Sequence, residues 1–314
     1  MGRDGEGRAR PAGDALSRTR VANAPCSYGA FEITVGVLSN VPSAEEVLSA
    51  TAEAGYEGTE LGPPGYLGDS SNLRERLERH GLALAGGYIP VRFSEPAHWK
   101  EDLAAMAATL DLFDAADGSG ARPVLADAGS PERQANPGRG EPALDDAGWA
   151  RLAEGVARAA DLSRARGYEP TFHHHTATHV ETPAEIERLL GSTDVGLLLD
   201  TGHLALGGGD PVQALRDWHA RIDHVHVKDY SRAILDGVLA DRADMEEAWR
   251  RGVFVELGTG DVDLDAFFRA LTASGYSGWL VVEQDRIPSP GGDTAEAIAA
   301  QRRNREWLAA HAGL

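Results

Sequence analysis

The sequence predicts an α/β fold, a single (β/α)8 TIM-type barrel, and three observations carry that expectation. Strand-like runs alternate with helical patterns, and alternating units imply a parallel sheet. Eight such units in 314 residues favour closure into one barrel over an open sheet. Four late runs each end in His, Asp or Glu: FHHH (Phe172–His175), LLLDTGH (Leu197–His203), HVHVKD (His224–Asp229) and WLVVEQD (Trp279–Asp285). The carboxyl ends of barrel strands share one face, and active sites lie there.

Residues 1–19 are rich in Gly, Arg and Asp and poor in large apolar residues, so they read as a disordered tail, with the barrel over 20–314. The Met-Gly start lacks the Ser or Thr of the myristoylation pattern. Strand-like runs fall at Val21–Ser27, Gly58–Leu61, Ala83–Ile89, Pro123–Ala126, Pro170–His174, Val195–Asp200, Ile222–Lys228 and Trp279–Gln284. Helical patterns fall at Ser43–Ala54, Ser71–His80, Lys100–Asp114, Asp146–Arg166, Pro183–Leu190, Pro211–Trp218, Leu264–Ser274 and Thr294–His311. Ser43 with Glu46 three residues on is a capping box. Gly55, Gly81, Gly167 and Gly275 sit just past helices, where a left-handed C-cap favours glycine. An open doubly wound sheet is the structural alternative, but no GxGxxG follows an early strand, and the glycines of GLALAGGY (Gly81–Tyr88) have the wrong spacing. Two longer insertions, Asp127–Leu144 and Tyr230–Gly260, leave the fourth and seventh strands at the end where loops shape pockets.

Composition narrows the function. Hydrophobic residues make up 42% of the chain, enough for a substantial core. A formal charge of −19 repels phosphate backbones and disfavours nucleic-acid partners; its ordinary use is solubility. No apolar run approaches the roughly 20 residues that span a bilayer, and the N-terminus has no secretory apolar segment. The lone Cys26 excludes an intrachain disulfide, fits a reducing compartment and hence the cytoplasm, and is expected as a buried small hydrophobe.

Strand parity then selects side chains. His224, His226 and Lys228 alternate with Val225 and Val227, so the polar set faces the barrel interior. His226 is nearer the strand end and is the better ligand; His224 reads equally as a hydrogen-bonded core histidine. Trp279, Val281 and Glu283 share a face, and a buried carboxylate there needs a partner or a metal. Leu198 and Asp200 share a face. A helix-cap role for Asp200 is disfavoured, because the next helical pattern begins only near Asp210. His203 is placed at the start of a loop, in reach of substrate. His173 and His175 are expected to point inward together, with His174 opposed. Glu60 in GTELG reads as a ligand, a substrate contact or a partner for Lys228. A mixed His, Asp and Glu set suits Mn2+, Co2+, Fe2+ or Zn2+ better than Ca2+, and the absence of Cys excludes a thiolate zinc site.

These phrases resemble the xylose-isomerase-like sugar isomerase/epimerase superfamily and, within it, the inosose (2-keto-myo-inositol) dehydratases. The resemblance runs from Val21 onward. It rests on LLLDTGH, HVHVKD and VVEQD, with SYGAFE, GTELGPPGYLG and GWLVVEQD as dehydratase-like phrases. It implies that Asp200, His226 and Glu283 hold one divalent ion, with His173 as fourth ligand and His175 its competitor. Mn2+ or Co2+ fit first, then Zn2+, Fe2+ or Mg2+. It also implies a substrate-contacting role for His203. Where the superfamily's epimerases carry a glutamate this chain has His173, which removes one of two facing carboxylates and disfavours epimerisation. The implied reaction is dehydration of a polyhydroxylated cyclic ketone through a metal-stabilised enolate. Glu60, His175, His203 and Lys228 are the catalytic candidates, and His175 or Lys228 is the proton carrier if burial tunes it towards neutrality. An isomerase or epimerase, an apurinic endonuclease-like hydrolase and a non-catalytic barrel are the alternatives. The partner is a small polyol, with neither nucleic acid nor membrane; a homo-oligomer is left open.

Overall fold

The computed structural model describes residues 19–289, 292 and 294–314. The tail expected over 1–19 therefore lies outside the described residues, except for Thr19, which is buried.

Eight parallel strands close into a barrel. They are β1 (Arg20–Asn23), β2 (Gly58–Glu60), β3 (Ala83–Val91), β4 (Arg122–Asp127), β5 (Thr171–His173), β6 (Gly196–Asp200), β7 (Ile222–Val227) and, last in the chain, β10 (Trp279–Val282). The remaining two, β8 (Asp229–Tyr230) and β9 (Phe254–Val255), pair antiparallel inside the second insertion. Around the barrel the order is β1-β10-β7-β6-β5-β4-β3-β2. The expected fold is the observed one. Among the described residues, no helix is long and apolar enough to cross a membrane.

Parity organises the layers. Phe172, Leu197, Leu199, Val225, Val227, Leu280 and Val282 join the main apolar core, which also takes in Leu152, Val156 and Phe267 from the helices. Burying each such side chain contributes about 1.5–3 kcal/mol. Ala22, Ala85, Trp279 and Val281 form a separate cluster on the other face, inside the barrel. Register then sets neighbours: Asp200 pairs with His226, and His226 with Val281. Glu283 follows β10, with its N–H on Val227 O at 3.1 Å.

Local signals hold at most ends. Ser43 and Glu46 form the capping box of helix Ala44–Ala54. Gly55, Gly81 and Gly275 are left-handed caps, whereas helix Asp146–Ala165 is capped by Arg166, with Gly167 one residue later. Expected strands are shortened where donors fail or the chain turns. β1 stops before Pro25, which opens a 3-10 turn over Pro25–Tyr28 and has no N–H for a ladder. β5 ends at His173, so His174 and His175 lie beyond it.

The two insertions carry structure of their own. The second holds helices Arg232–Ala240 and Met245–Arg250. The first is anchored by Arg133, which is fully buried and meets Glu185 at 2.6 Å, Glu181 at 3.6 Å and Pro142 O at 2.8 Å. Arg133→Met strands two buried carboxylates, so the folding free energy is expected to fall by about 3–5 kcal/mol. Urea midpoints of parent and variant check this.

Candidate active site and metal centre

At the carboxyl ends of the strands lies a cavity of about 130 Å³, lined by Glu60, Tyr88, His173, His175, His226, Glu283 and Asp285 and roofed by residues that include Phe31 and Trp249. The Phe31 and Trp249 rings stack at 5.7 Å, joining the loop after β1 to the second insertion. So small a space suits a single small ring rather than the larger ligands that fill pockets of roughly 300–1,000 Å³.

His173, Asp200, His226 and Glu283 place one donor atom each within 4.8 Å of one another. His226 Nδ1 lies 3.0 Å from Glu283 Oε2 and 3.7 Å from Asp200 Oδ2, and His173 Nε2 lies 3.9 Å from Asp200 Oδ2. Metal bonds near 2.1 Å put neighbouring donors roughly 3–4 Å apart, so the set has the right span. Asp200 Oδ2 and His226 Nδ1 are buried without a hydrogen-bond partner, although Glu283 is close, so the contact is out of line for a hydrogen bond. Glu60 Oε1 accepts from Nε2 of both His224 and His226 at 3.0 Å. A neutral His226 with that proton on Nε2 turns the Nδ1 lone pair towards two carboxylates. Converging lone pairs on buried side chains fit a divalent ion, and the carboxylate behind His226 fixes its tautomer. Burial opposes protonation of His226, but Glu283 and Glu60 outweigh it and push its pKa well up. The field that attracts a proton there would equally attract a metal cation.

Glu60 therefore sits behind His226, and its partners are histidines rather than Lys228. His224 is the hydrogen-bonded core histidine weighed above. Gly86 makes room for Glu60: a Cβ there would stand 2.8 Å from Glu60 Oε1 and 2.9 Å from Arg122 O.

Asp200 is a helix cap after all. Its Oδ1 accepts from His203 N at 2.8 Å and opens helix Thr201–Leu206, which the sequence reading missed. His203 consequently lies inside a helix, fully buried, and is absent from the cavity wall. Its Nδ1 meets Thr176 Oγ1 at 2.8 Å, and its Nε2 meets Lys228 Nζ at 3.1 Å and Asp285 Oδ2 at 3.3 Å. It packs against His175 with ring centroids 3.8 Å apart. His203 therefore stands one ring behind the cavity wall, against His175 and Lys228.

His173 and His175 both line the cavity, while His174 Nε2 accepts from Asp200 N at 3.1 Å. His175 Nδ1 donates to Thr176 O at 2.7 Å, which leaves the Nε2 lone pair for the cavity. Burial and the nearby His203 and Lys228 hold His175 well below its usual pKa, so it is neutral.

Lys228 runs behind the wall. Its Nζ lies 2.8 Å from Asp285, 3.0 Å from Glu283 and 3.4 Å from Asp200. Burial alone would lower its pKa towards neutrality, as expected from the sequence, but Asp200, Asp285 and Glu283 reverse that and keep it protonated. The Lys228 stem runs over Gly202, where a Cβ would stand 2.8 Å from Lys228 Cβ and Cγ. Gly202→Ala is therefore expected to displace Lys228 and cost about 1–3 kcal/mol by overpacking, together with activity. Thermal melts and steady-state rates of the variant check this.

Tyr88 and the Phe31–Trp249 pair carry no signal in the sequence, and Asp285, the last residue of WLVVEQD, has no role assigned there. Asp285 was findable, lying two residues beyond Glu283. Cys26 is half-buried on the cavity wall, with Sγ 3.5 Å from Glu283 Oε1, and is not the enclosed hydrophobe expected.

The chain is thus a parallel (β/α)8 barrel with a buried cluster of nitrogen and oxygen donors, of a kind that could hold a metal ion, at the carboxyl ends of its strands. The chain belongs to the xylose isomerase-like TIM barrel family, whose pattern it matches over residues 48–311. It is 34% identical over 252 residues to an inosose dehydratase of Geobacillus kaustophilus, covering 78% of this chain and 81% of that protein. It superposes on the crystal structure of the IolI protein with a bound zinc atom at a TM-score of 0.69 and 15% identity, covering 93% of this chain and 99% of that one. It also superposes on a probable 3-DHS dehydratase, AsbF, of Bacillus anthracis at a TM-score of 0.69 and 15% identity, covering 92% and 98%. The two superpositions establish the fold alone.

Proposed function

We propose that this chain is a divalent-metal-dependent dehydratase that removes water from a polyhydroxylated cyclic ketone, 2-keto-myo-inositol or a close analogue. The observation that carries the reading is the convergence of Asp200 Oδ2, His226 Nδ1 and Glu283 Oε2 in a buried site, with His175 on the cavity wall and Lys228 Nζ 3.0 Å from Glu283. The named inosose dehydratases among its relatives support the substrate class.

His173, Asp200, His226 and Glu283 would hold the ion. When bound, it would supply Lewis-acid polarisation of the ketone oxygen. His175 Nε2 takes the α proton as that C–H bond breaks and the carbon–carbon double bond forms. Lys228 stands behind Asp285, which faces the cavity, so the pair delivers a proton to the β hydroxyl as its C–O bond breaks and water leaves. Glu60 keeps His226 in its tautomer, and His203 braces both Lys228 and His175. Phe31 and Trp249 line the cavity as a stacked pair, which would limit the access of water to the reacting carbons.

The test is incubation of the purified protein with 2-keto-myo-inositol, before and after chelation and after Mn2+ is added back. The reading predicts a product one water lighter, lost on chelation and restored by the metal. Undiminished turnover in the metal-stripped protein would refute the metal's part.

A further inference from the structure

Beneath the site lies a buried network of four side-chain amides, Gln284, Gln301 and Asn304 with Asn23 of β1, that the chemistry above does not use. Gln284 sits between Glu283 and Asp285, and Gln301 and Asn304 come from the last helix, Thr294–His311. Gln301 and Asn304 are fully buried and Gln284 nearly so. Gln284 Oε1 accepts from Gln301 Nε2 at 3.1 Å and from Asn304 Nδ2 at 3.4 Å. Gln301 Oε1 accepts from Asn304 Nδ2 at 3.1 Å and from Asn23 Nδ2 at 3.0 Å. Gln301 Nε2 also donates to Ser27 O, and Gln284 N donates to Ser27 Oγ at 3.0 Å. Asn304 Oδ1 accepts from Leu257 N at 2.9 Å, and Gln284 Nε2 donates to Phe254 O at 3.5 Å.

The bonds have one consistent direction. Turning any one amide over would set oxygen against oxygen and NH2 against NH2, so each fixes the others. The network also ties together three segments behind one cavity wall. Asn23 and Ser27 flank Cys26, and Gln284 joins Glu283 to Asp285. Phe254 lays its ring 4.7 Å from Lys228 Nζ and 4.9 Å from His203. A neutral network does this without adding a charge beside the carboxylates. Apolar side chains would fill the same space but would leave the strand end free to shift, and outer partners of ligands set metal affinity and rate by roughly 10–100-fold.

We propose that Gln284, Gln301 and Asn304 form a positioning clamp that fixes Glu283 for the metal and Asp285 for Lys228. The proposal rests on the reading of Glu283 as a ligand. The isosteric change Gln301→Glu places an oxygen against Gln284 Oε1 and Ser27 O, and Gln301→Met keeps the volume while removing the side-chain bonds. Mn2+ alone is titrated calorimetrically into the parent and each variant stripped of metal, and kcat and KM are measured on the loaded proteins. Leu308→Ala, a core cut in the same helix away from the site, is the control for lost stability. The clamp predicts Mn2+ binding weaker by about 10–100-fold and kcat lower by a similar factor in both Gln301 variants, with KM little changed. Leu308→Ala should melt earlier yet keep parental Mn2+ affinity and kcat. If Gln301→Glu does not fold, Gln301→Met decides. Gln301 variants that melt earlier but bind Mn2+ and turn over like the parent would overturn the clamp alone. A parent that takes up no Mn2+ would overturn the metal reading, and the clamp with it.

Discussion

Asp200→Asn is expected to abolish divalent-ion binding and turnover together while leaving the barrel folded. The two oxygens of Asp200 have separate duties: Oδ1 caps helix Thr201–Leu206, and Oδ2 points at His226 Nδ1 without a hydrogen-bond partner. Asparagine keeps the cap acceptor but replaces the second oxygen with an NH2 group, which cannot bind a cation. Metal affinity should fall by more than ~100-fold, beyond the range typical of outer-partner changes. Calorimetric Mn2+ titration, rates and a circular dichroism melt check the three parts. A variant that binds Mn2+ like the parent would remove Asp200 from the ligand set.

Lys228→Met carries the second large effect. Three carboxylates lie within 3.4 Å of Nζ, and methionine leaves them facing one another in a buried site. The metal-free variant is expected to lose about 3–5 kcal/mol of stability. A divalent ion should restore part of that loss, because it binds only the folded state. Even when reloaded, the variant should turn over ~10²–10⁴-fold more slowly, since the proton for the departing hydroxyl is gone. Melting temperatures with and without Mn2+, beside kcat, separate the two roles. Parental kcat in the reloaded protein would show that Lys228 only balances charge.

The barrel was legible because the helix and strand periods, the caps and the strand-end polar residues agree with one another. The alternation in HVHVKD correctly placed His224 and His226 inside and Val225 and Val227 outside. The helix after Asp200 was not legible, because Thr-Gly-His is a weak helical start. Its glycine is there for a tertiary reason, the passage of the Lys228 stem. With that helix hidden, His203 was placed in a loop and given to the substrate. Burial alone predicted a Lys228 tuned towards neutrality; three carboxylates from β6 and the end of β10 converge on it instead, and no local pattern announces that meeting. The Phe31–Trp249 roof joins segments more than two hundred residues apart and had no sequence signal of its own.

The most direct test of the account is mass spectrometry of the Mn2+-loaded protein incubated with 2-keto-myo-inositol in deuterated water. A dehydratase built as described releases a product lighter by one water, and Asp200→Asn does not. Deuterium at the α carbon of an otherwise intact ketone, with no dehydrated product, would contradict the account and make the protein an isomerase or epimerase.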